Sequence, residues 1–196
     1  MEPSTPAVAV LMHGSTLGFT SLPAWMAPAP LRMQLFAAGI DRRSGSRIAV
    51  LRLRYPDRDL RSQFRGALRD TAAALAHIQQ IAPRARIGLV GHSNGGRVAL
   101  RLSADARIHA VAALAPWLLP SDRIKPRRGT PLLLMHGSLD FVTSPRLTAE
   151  LAARLRHGGA DVDYESVSGD NHFLLAQAAY WHSRVADFMT RHLVDD

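Results

Sequence analysis

The chain has 196 residues, of which 47% are hydrophobic and 20% charged, enough for one domain with a real core but not comfortably two. No apolar run approaches the roughly 20 residues that span a bilayer, and with no cysteine there are no disulfides, thiol nucleophiles or thiolate metal sites. The formal net charge of +8 comes from scattered arginines. Only Arg61, Arg65 and Arg69 would form a stripe on one helix face, and no aromatic residue interleaves with it as base stacking requires. The arginines therefore read as solvated surface, open to anionic substrates but not as a nucleic-acid site. Met1–Pro6 lacks the basic start of a secretory signal, and the apolar stretch from Ala7 is cut at His13-Gly14, so the expected location is the cytoplasm.

Short apolar runs alternate with helical periodicity along the chain. A first strand, Ala7–Met12, is followed by a Pro-rich loop, Ser15–Pro30, and a helix over Leu31–Ala38. A second strand, Ile48–Leu53, leads to a helix over Gln63–Ile81, which carries apolar residues at Phe64, Ala67, Leu68, Ala72, Leu75, Ile78 and Ile81 and ends before Pro83. Ile87–Val90 is the third strand and Gly95–Ala104 the third helix. The runs His109–Ala115 and Pro131–Met135 follow, then a helix at Arg146–Arg156 stopped by Gly158-Gly159. The strand Val162–Val167 and a helix over Ala176–Leu193 complete the pattern. The first five strands are almost continuously apolar, as strands covered on both faces are, whereas Val162–Val167 alternates like an edge strand. This order specifies an α/β fold: a single domain over 1–196, a doubly wound, mostly parallel sheet of about six strands with helices on both faces. Ligands of such sheets bind beyond the carboxyl ends of the strands.

Four strand ends carry chemistry. The third runs into Gly91-His92-Ser93-Asn94-Gly95-Gly96 and at once into a helix, so G-x-S-x-G stands at a strand–helix junction. A sharp turn there lifts the Ser93 hydroxyl above the sheet. Gly91 and Gly95 are needed because a Cβ would collide with the neighbouring strand or helix, and the helix N-terminus brings free N–H groups to the place where an oxyanion would form. The bland alternative is a glycine-rich turn with an incidental serine. At the end of the first strand, His13-Gly14 lets the backbone bend over Ser93, so that the N–H groups of Ser15 and Asn94 form an oxyanion hole; a turn glycine beside a satisfied histidine is the alternative. The fifth strand leads to Asp140, with Thr143 or Ser144 better placed to cap the next helix. The sixth leads through Gly169, Asp170 and Asn171 to His172. Asp161 and Asp163 lie at the wrong end of the sheet to serve that histidine. Asp170 suits a local turn role worth on the order of 1 kcal/mol.

The order Ser93, Asp140, His172 on an α/β pattern, with His13-Gly14 at the first strand end, resembles the α/β-hydrolase superfamily from Ala7 to Leu193. The resemblance implies Ser93 as nucleophile, His172 as base, Asp140 as the acid that orients it, and oxyanion N–H groups from Ser15 and Asn94. It departs from the full pattern in lacking two N-terminal strands and in leaving only Pro116–Thr130 where a cap would be inserted, with Trp117-Leu118-Leu119 available to shield the site. The expected activity is a serine hydrolase that cleaves a carboxylic ester or thioester through an acyl-enzyme. The alternatives are an acyltransferase or lyase on the same scaffold, or a non-catalytic binding protein. No cofactor or metal is expected, and the partner is a small acyl substrate. Thr16, Leu17, Phe19, Leu22, Trp25 and Met26 of the long loop, with Trp117, are the candidate acyl-pocket residues, each of which is equally a core residue by type.

Overall fold

A computed structural model describes residues 7–15, 28–55 and 60–195. The elements in chain order are β1 (Ala7–Met12), α1 (Pro28–Ser44), β2 (Ile48–Leu53), α2 (Leu60–Ile81), β3 (Arg86–His92), α3 (Asn94–Leu102), β4 (Ile108–Leu114), β5 (Leu132–Gly137), α4 (Pro145–His157), β6 (Val162–Val167) and α5 (Ala178–Thr190), the last running into a five-residue π-helical turn at Arg191–Asp195. The six strands form one sheet in the order β2-β1-β3-β4-β5-β6, with parallel pairing throughout.

Alternation along each strand splits the core in two. Val10, Met12, Leu89, Val111, Leu132 and Leu134 face α2, α3 and α4. Ala9, Leu11, Val90, Ala112, Leu133 and Met135 face α1 and α5, where Phe36, Trp181 and Phe188 fill the space. Both faces of the central strands are thereby dry, which explains their unbroken apolar sequences.

Two expectations need correcting. β2, read as covered on both faces, is the second edge of the sheet, and Ala49, Leu51 and Arg52 are exposed. An apolar run marks a strand, but not which neighbours it has. α1 starts at Pro28 rather than Leu31 and runs to Ser44 rather than Ala38. Pro28 and Pro30 belong to its first turn, where proline's missing N–H costs nothing. Gly39 does not end it: it lies inside the helix opposite α5, where a Cβ would make ordinary van der Waals contact, 3.7 Å from the His182 carbonyl oxygen. The positive-φ pair Gly45 and Ser46 terminates the helix instead. The rest of the expected loop, 16–27, lies outside the described residues.

From β1 the chain winds outward to β2, and from β3 it winds the other way. The divergence of the loops after β1 and β3 opens a crevice at the carboxyl end of the sheet. Between β4 and β5 the chain is one irregular stretch, with no room for a cap domain. No helix among the described residues is long and apolar enough to cross a membrane.

The glycines of the β3–α3 turn provide a test. A Cβ on Gly91 would sit 2.2 Å from the Gly95 carbonyl oxygen, whereas one on Gly66, inside α2, meets nothing within 4 Å. Gly91→Ala is expected to cost at least about 3 kcal/mol and Gly66→Ala to add about 0.5–1 kcal/mol. Urea unfolding of both variants checks the contrast.

Candidate active site

Ser93 connects β3 directly to α3 with φ 55° and ψ −117°, a conformation that costs a β-carbon residue about 1–3 kcal/mol. Its surroundings hold it there. The Ser93 N–H donates to Leu114 O at 2.9 Å, and its carbonyl accepts from Arg97 N at 3.1 Å and Trp117 N at 3.0 Å. On the other side Gly95 is packed so tightly on the end of β1 that a Cβ would meet Met12 O at 2.4 Å, and a Cβ on Gly14 would meet Ser93 Cβ at 2.9 Å. The Gly14 backbone therefore passes over the serine, Ser15 reaches the cleft rim, and Asn94 opens α3.

His13 resolves the two readings of the first strand end. Its Nε2 accepts from the Tyr55 backbone N–H at 3.1 Å, so its proton is on Nδ1, which donates to Gly14 O at 2.6 Å. It is a satisfied structural histidine, and what it holds is the turn over Ser93.

Asp140 is buried and accepts five hydrogen bonds. Oδ1 takes the N–H groups of Val142 and Thr143, both at 2.8 Å. Oδ2 takes His172 Nδ1 at 2.7 Å, Thr143 Oγ1 at 2.8 Å and His136 Nε2 at 3.1 Å. Burial alone would raise the pKa of this carboxyl. The donors from His136, His172 and Thr143 outweigh it and hold the group far below the ordinary carboxylate range. An ionised Oδ2 fixes the His172 proton on Nδ1 and leaves Nε2 as an acceptor. Asp140 thus organises its own turn and also orients the histidine, while the cap of α4 falls to Ser144, whose hydroxyl accepts from Leu147 N at 3.2 Å.

Two histidines unnoticed in the sequence complete this assembly. His136, at the end of β5, is wholly buried, and its Nδ1 lies 2.8 Å from Thr148 Oγ1. His92, the residue before Ser93, has Nε2 2.9 Å from the His172 carbonyl oxygen, which makes Nε2 its protonated nitrogen. Burial, then the nearby charges of Arg32 and His172, push its pKa well below the ordinary imidazole value, so His92 is a neutral donor holding the backbone of His172. A histidine four residues before Asp140 and another inside the G-x-S-x-G were the available signals. Side-chain direction was the missing one.

Ser93, His172, Ser15, Trp117 and Thr143 line one cleft of about 610 Å³, together with Val142, Phe173 and Leu175. Of the expected shield, only Trp117 faces it. Leu118 is buried in the core beside α4 and Leu119 is largely exposed. Thr16, Leu17, Phe19, Leu22, Trp25 and Met26 lie outside the described residues. Among the described residues no group of three or more His, Asp or Glu side chains converges as metal ligands do.

A six-stranded parallel sheet, a strained serine between strand and helix, and a carboxylate–histidine pair on the next two loops define a class of architecture, and comparison agrees on the fold. A serine hydrolase without a lid from Xanthomonas campestris superposes with a TM-score of 0.75 at 18% identity over 97% of this chain and 84% of that one. The Pyrococcus furiosus esterase Pf2001 gives 0.72 at 16% over 96% and 82%. Est1E from Butyrivibrio proteoclasticus, solved with ferulic acid bound, gives 0.71 at 15% over 97% and 91%. The chain has the α/β-hydrolase fold. Residues 116–196, which include Asp140 and His172, match the prolyl oligopeptidase family model. No curated protein matches the sequence.

Asp170, the competing acid, is fully buried and faces away from this pair. It accepts from Asn171 N at 2.8 Å, Ala176 N at 3.3 Å, Gln177 N at 3.0 Å and Trp181 Nε1 at 2.8 Å, which ties the turn to the start of α5. Four donors on a buried carboxylate are worth more than the single turn contact expected from sequence. Burial raises its pKa, but the Asn171, Gln177 and Trp181 donors outweigh that and lower it. Asp170→Asn is therefore expected to lose about 2 kcal/mol or more at neutral pH. A depressed pKa gives stabilisation that is complete above the unfolded carboxyl value, near 4, and fades as pH falls through the folded value. The gap between wild type and variant in urea unfolding should narrow in acid. An unchanged gap from about pH 7 down to about pH 3 counts against this role.

Proposed function

We propose that the protein is a serine hydrolase that cleaves a carboxylic ester or thioester through an acyl-enzyme on Ser93. The observation that carries this reading is the pairing of a strained Ser93 with a His172 whose Nδ1 is held by an ionised, five-fold hydrogen-bonded Asp140, both side chains lining one cleft.

In this reading each group has a step. His172 Nε2 takes the Ser93 proton as Oγ attacks the acyl carbonyl. Asp140 keeps the imidazole in the right tautomer and stabilises the imidazolium. The oxyanion accepts from the Ser15 and Asn94 N–H groups, each worth a few kcal/mol in mutational studies of such donors, about 3 to 4. His172 then protonates the leaving group and activates the water that releases the acid. The apolar wall formed by Trp117, Val142, Phe173 and Leu175 suits an acyl chain or an aryl group. A serine hydrolase and an esterase have the same fold, and Est1E, also of that fold, holds ferulic acid, which supports the same reading. The reaction takes place on a single domain and needs no cofactor, and a cytoplasmic location accords with it.

A fluorophosphonate probe should label Ser93 alone, as read by peptide mass mapping, and abolish turnover of chromogenic esters. Adducts on Ser15 or Ser138 instead would overturn the assignment. Asp140→Asn, folded by circular dichroism, should lower kcat on the best ester by about 10⁴-fold, the effect of the same change in a serine protease. Nearly normal kcat in that variant, with a crippled Asp170→Asn, would exclude Asp140 as the partner of His172.

A further inference from the structure

The cleft contains one permanent charge that the proposed reaction does not use. Arg32, in the first turns of α1, lines it beside His92, Phe173 and the α1 residues Pro28 and Ala29. Its Nη1 lies 3.5 Å from His92 Nδ1, at the limit of a hydrogen bond, and its guanidinium carbon is 5.9 Å from the Phe173 ring centroid. Its Nε is buried with no hydrogen-bond partner. Among the described residues lining the cleft there is no Asp or Glu, and α1 has no acidic residue in its first turn. Burial lowers the pKa of the guanidinium, and no Asp or Glu among the described residues lining the cleft offsets it.

That arrangement is unusual for an arginine. A guanidinium withdrawn from water is ordinarily paired, because desolvating a charge is expensive. Arg32 is only partly exposed, and another partly buried arginine near this end of the sheet shows the ordinary solution: Arg97 makes two hydrogen bonds to Asp122, at 2.8 and 2.9 Å. Arg32 has a neutral imidazole and an aromatic face instead. The positive end of the 17-residue α1 borders the same space and adds to the local preference for an anion.

We infer that Arg32 is an anion-binding subsite of the cleft, and that the substrates are esters or thioesters that carry a carboxylate on the acyl or the leaving group. This rests on the hydrolase reading and narrows it. The guanidinium fork matches a carboxylate in two-point contact, and the carboxylate supplies the counter-charge that the described cleft-lining residues do not. Because Arg32 stands next to His92, the residue before Ser93, the carboxylate of such a substrate lies close to its scissile carbonyl. Neutral esters of equal length occupy the apolar wall but leave the guanidinium unpaired.

Two measurements test this. The first compares kcat/KM for matched pairs: 4-nitrophenyl butyrate against the 4-nitrophenyl monoester of succinic acid for the acyl side, and phenyl acetate against 4-acetoxybenzoate for the leaving group. Wild type should prefer the charged member of at least one pair by about tenfold or more, and the preference should shrink as salt is raised. Arg32→Gln should bring that ratio close to one, and Arg32→Lys, which keeps the charge but loses the fork, should fall between. No preference in wild type, or one that Arg32→Gln leaves intact, overturns the subsite while the hydrolase reading stands. The second measurement needs no turnover. Glutarate is titrated calorimetrically into Ser93→Ala with Arg32 present or replaced by Gln, after thermal melts show both folded. Binding that weakens about tenfold on loss of Arg32 supports the subsite even if no ester is hydrolysed; equal or undetectable binding in both counts against it.

Discussion

Everything at the carboxyl edge of the sheet depends on one close approach of backbone to backbone. The last turn of β3 and the first turn of α3 are pressed together at Gly91 and Gly95, with distances that no side chain survives. Because they touch, the chain must reverse within one residue, and that residue is Ser93, forced to positive φ. The same packing drives Gly95 against the end of β1 and so determines where Gly14 and Ser15 pass. The strain at Ser93 is sustained by a large surplus of ordinary stabilisation in the sheet below, where β3 lies between β1 and β4 with both faces buried. A strained backbone geometry at the carboxyl edge of the sheet is thus held by the least deformable part of the core.

The second half of the site is organised differently. Asp140 and Asp170 are both buried, both ionised, and both surrounded by donors. One points to His172 and one to α5. The two turns are interlocked, since Leu139 N donates to Asp170 O at 2.9 Å and Gly137 lies so close to Asp170 that a Cβ would meet its carbonyl oxygen at 2.5 Å. Thr143 binds the Asp140 carboxylate from above, and His92 holds the backbone of His172 from the β3 side. The histidine is consequently positioned by three elements that are distant in sequence.

This explains what the sequence could and could not disclose. The succession of strands and helices along the chain, the G-x-S-x-G junction and the approach of Asp140 to His172 follow from local pattern and from the rule that strand ends gather at one edge, and each was legible. The edge position of β2 was not, because its apolar run looks like those of β1 and β3; only sheet order distinguishes them. The extent of α1 was not legible either: Pro28 and Pro30 belong to its first turn rather than to the loop, and the helix runs on through Gly39 to Ser44. His92, His136 and Arg32 went unnoticed for a different reason. Their roles depend on where a side chain points after three remote segments have come together, and no spacing records that.

The site is assembled from residues 13–15, 92–94, 136–143 and 172, which meet only when parallel strands far apart in the chain have paired. β1 and β3 are hydrogen-bonded neighbours, Ala7 opposite Arg86, with α1, β2 and α2 between them in the chain. Such long-range parallel pairing is slow to form and exposes apolar strands while it does. During synthesis the Ser93 turn leaves the ribosome well before His172, and the serine takes up its positive φ only once β1, β3, β4 and α3 have packed around it. His172, on the turn after β6, reaches the cleft only when β6 has docked on β5.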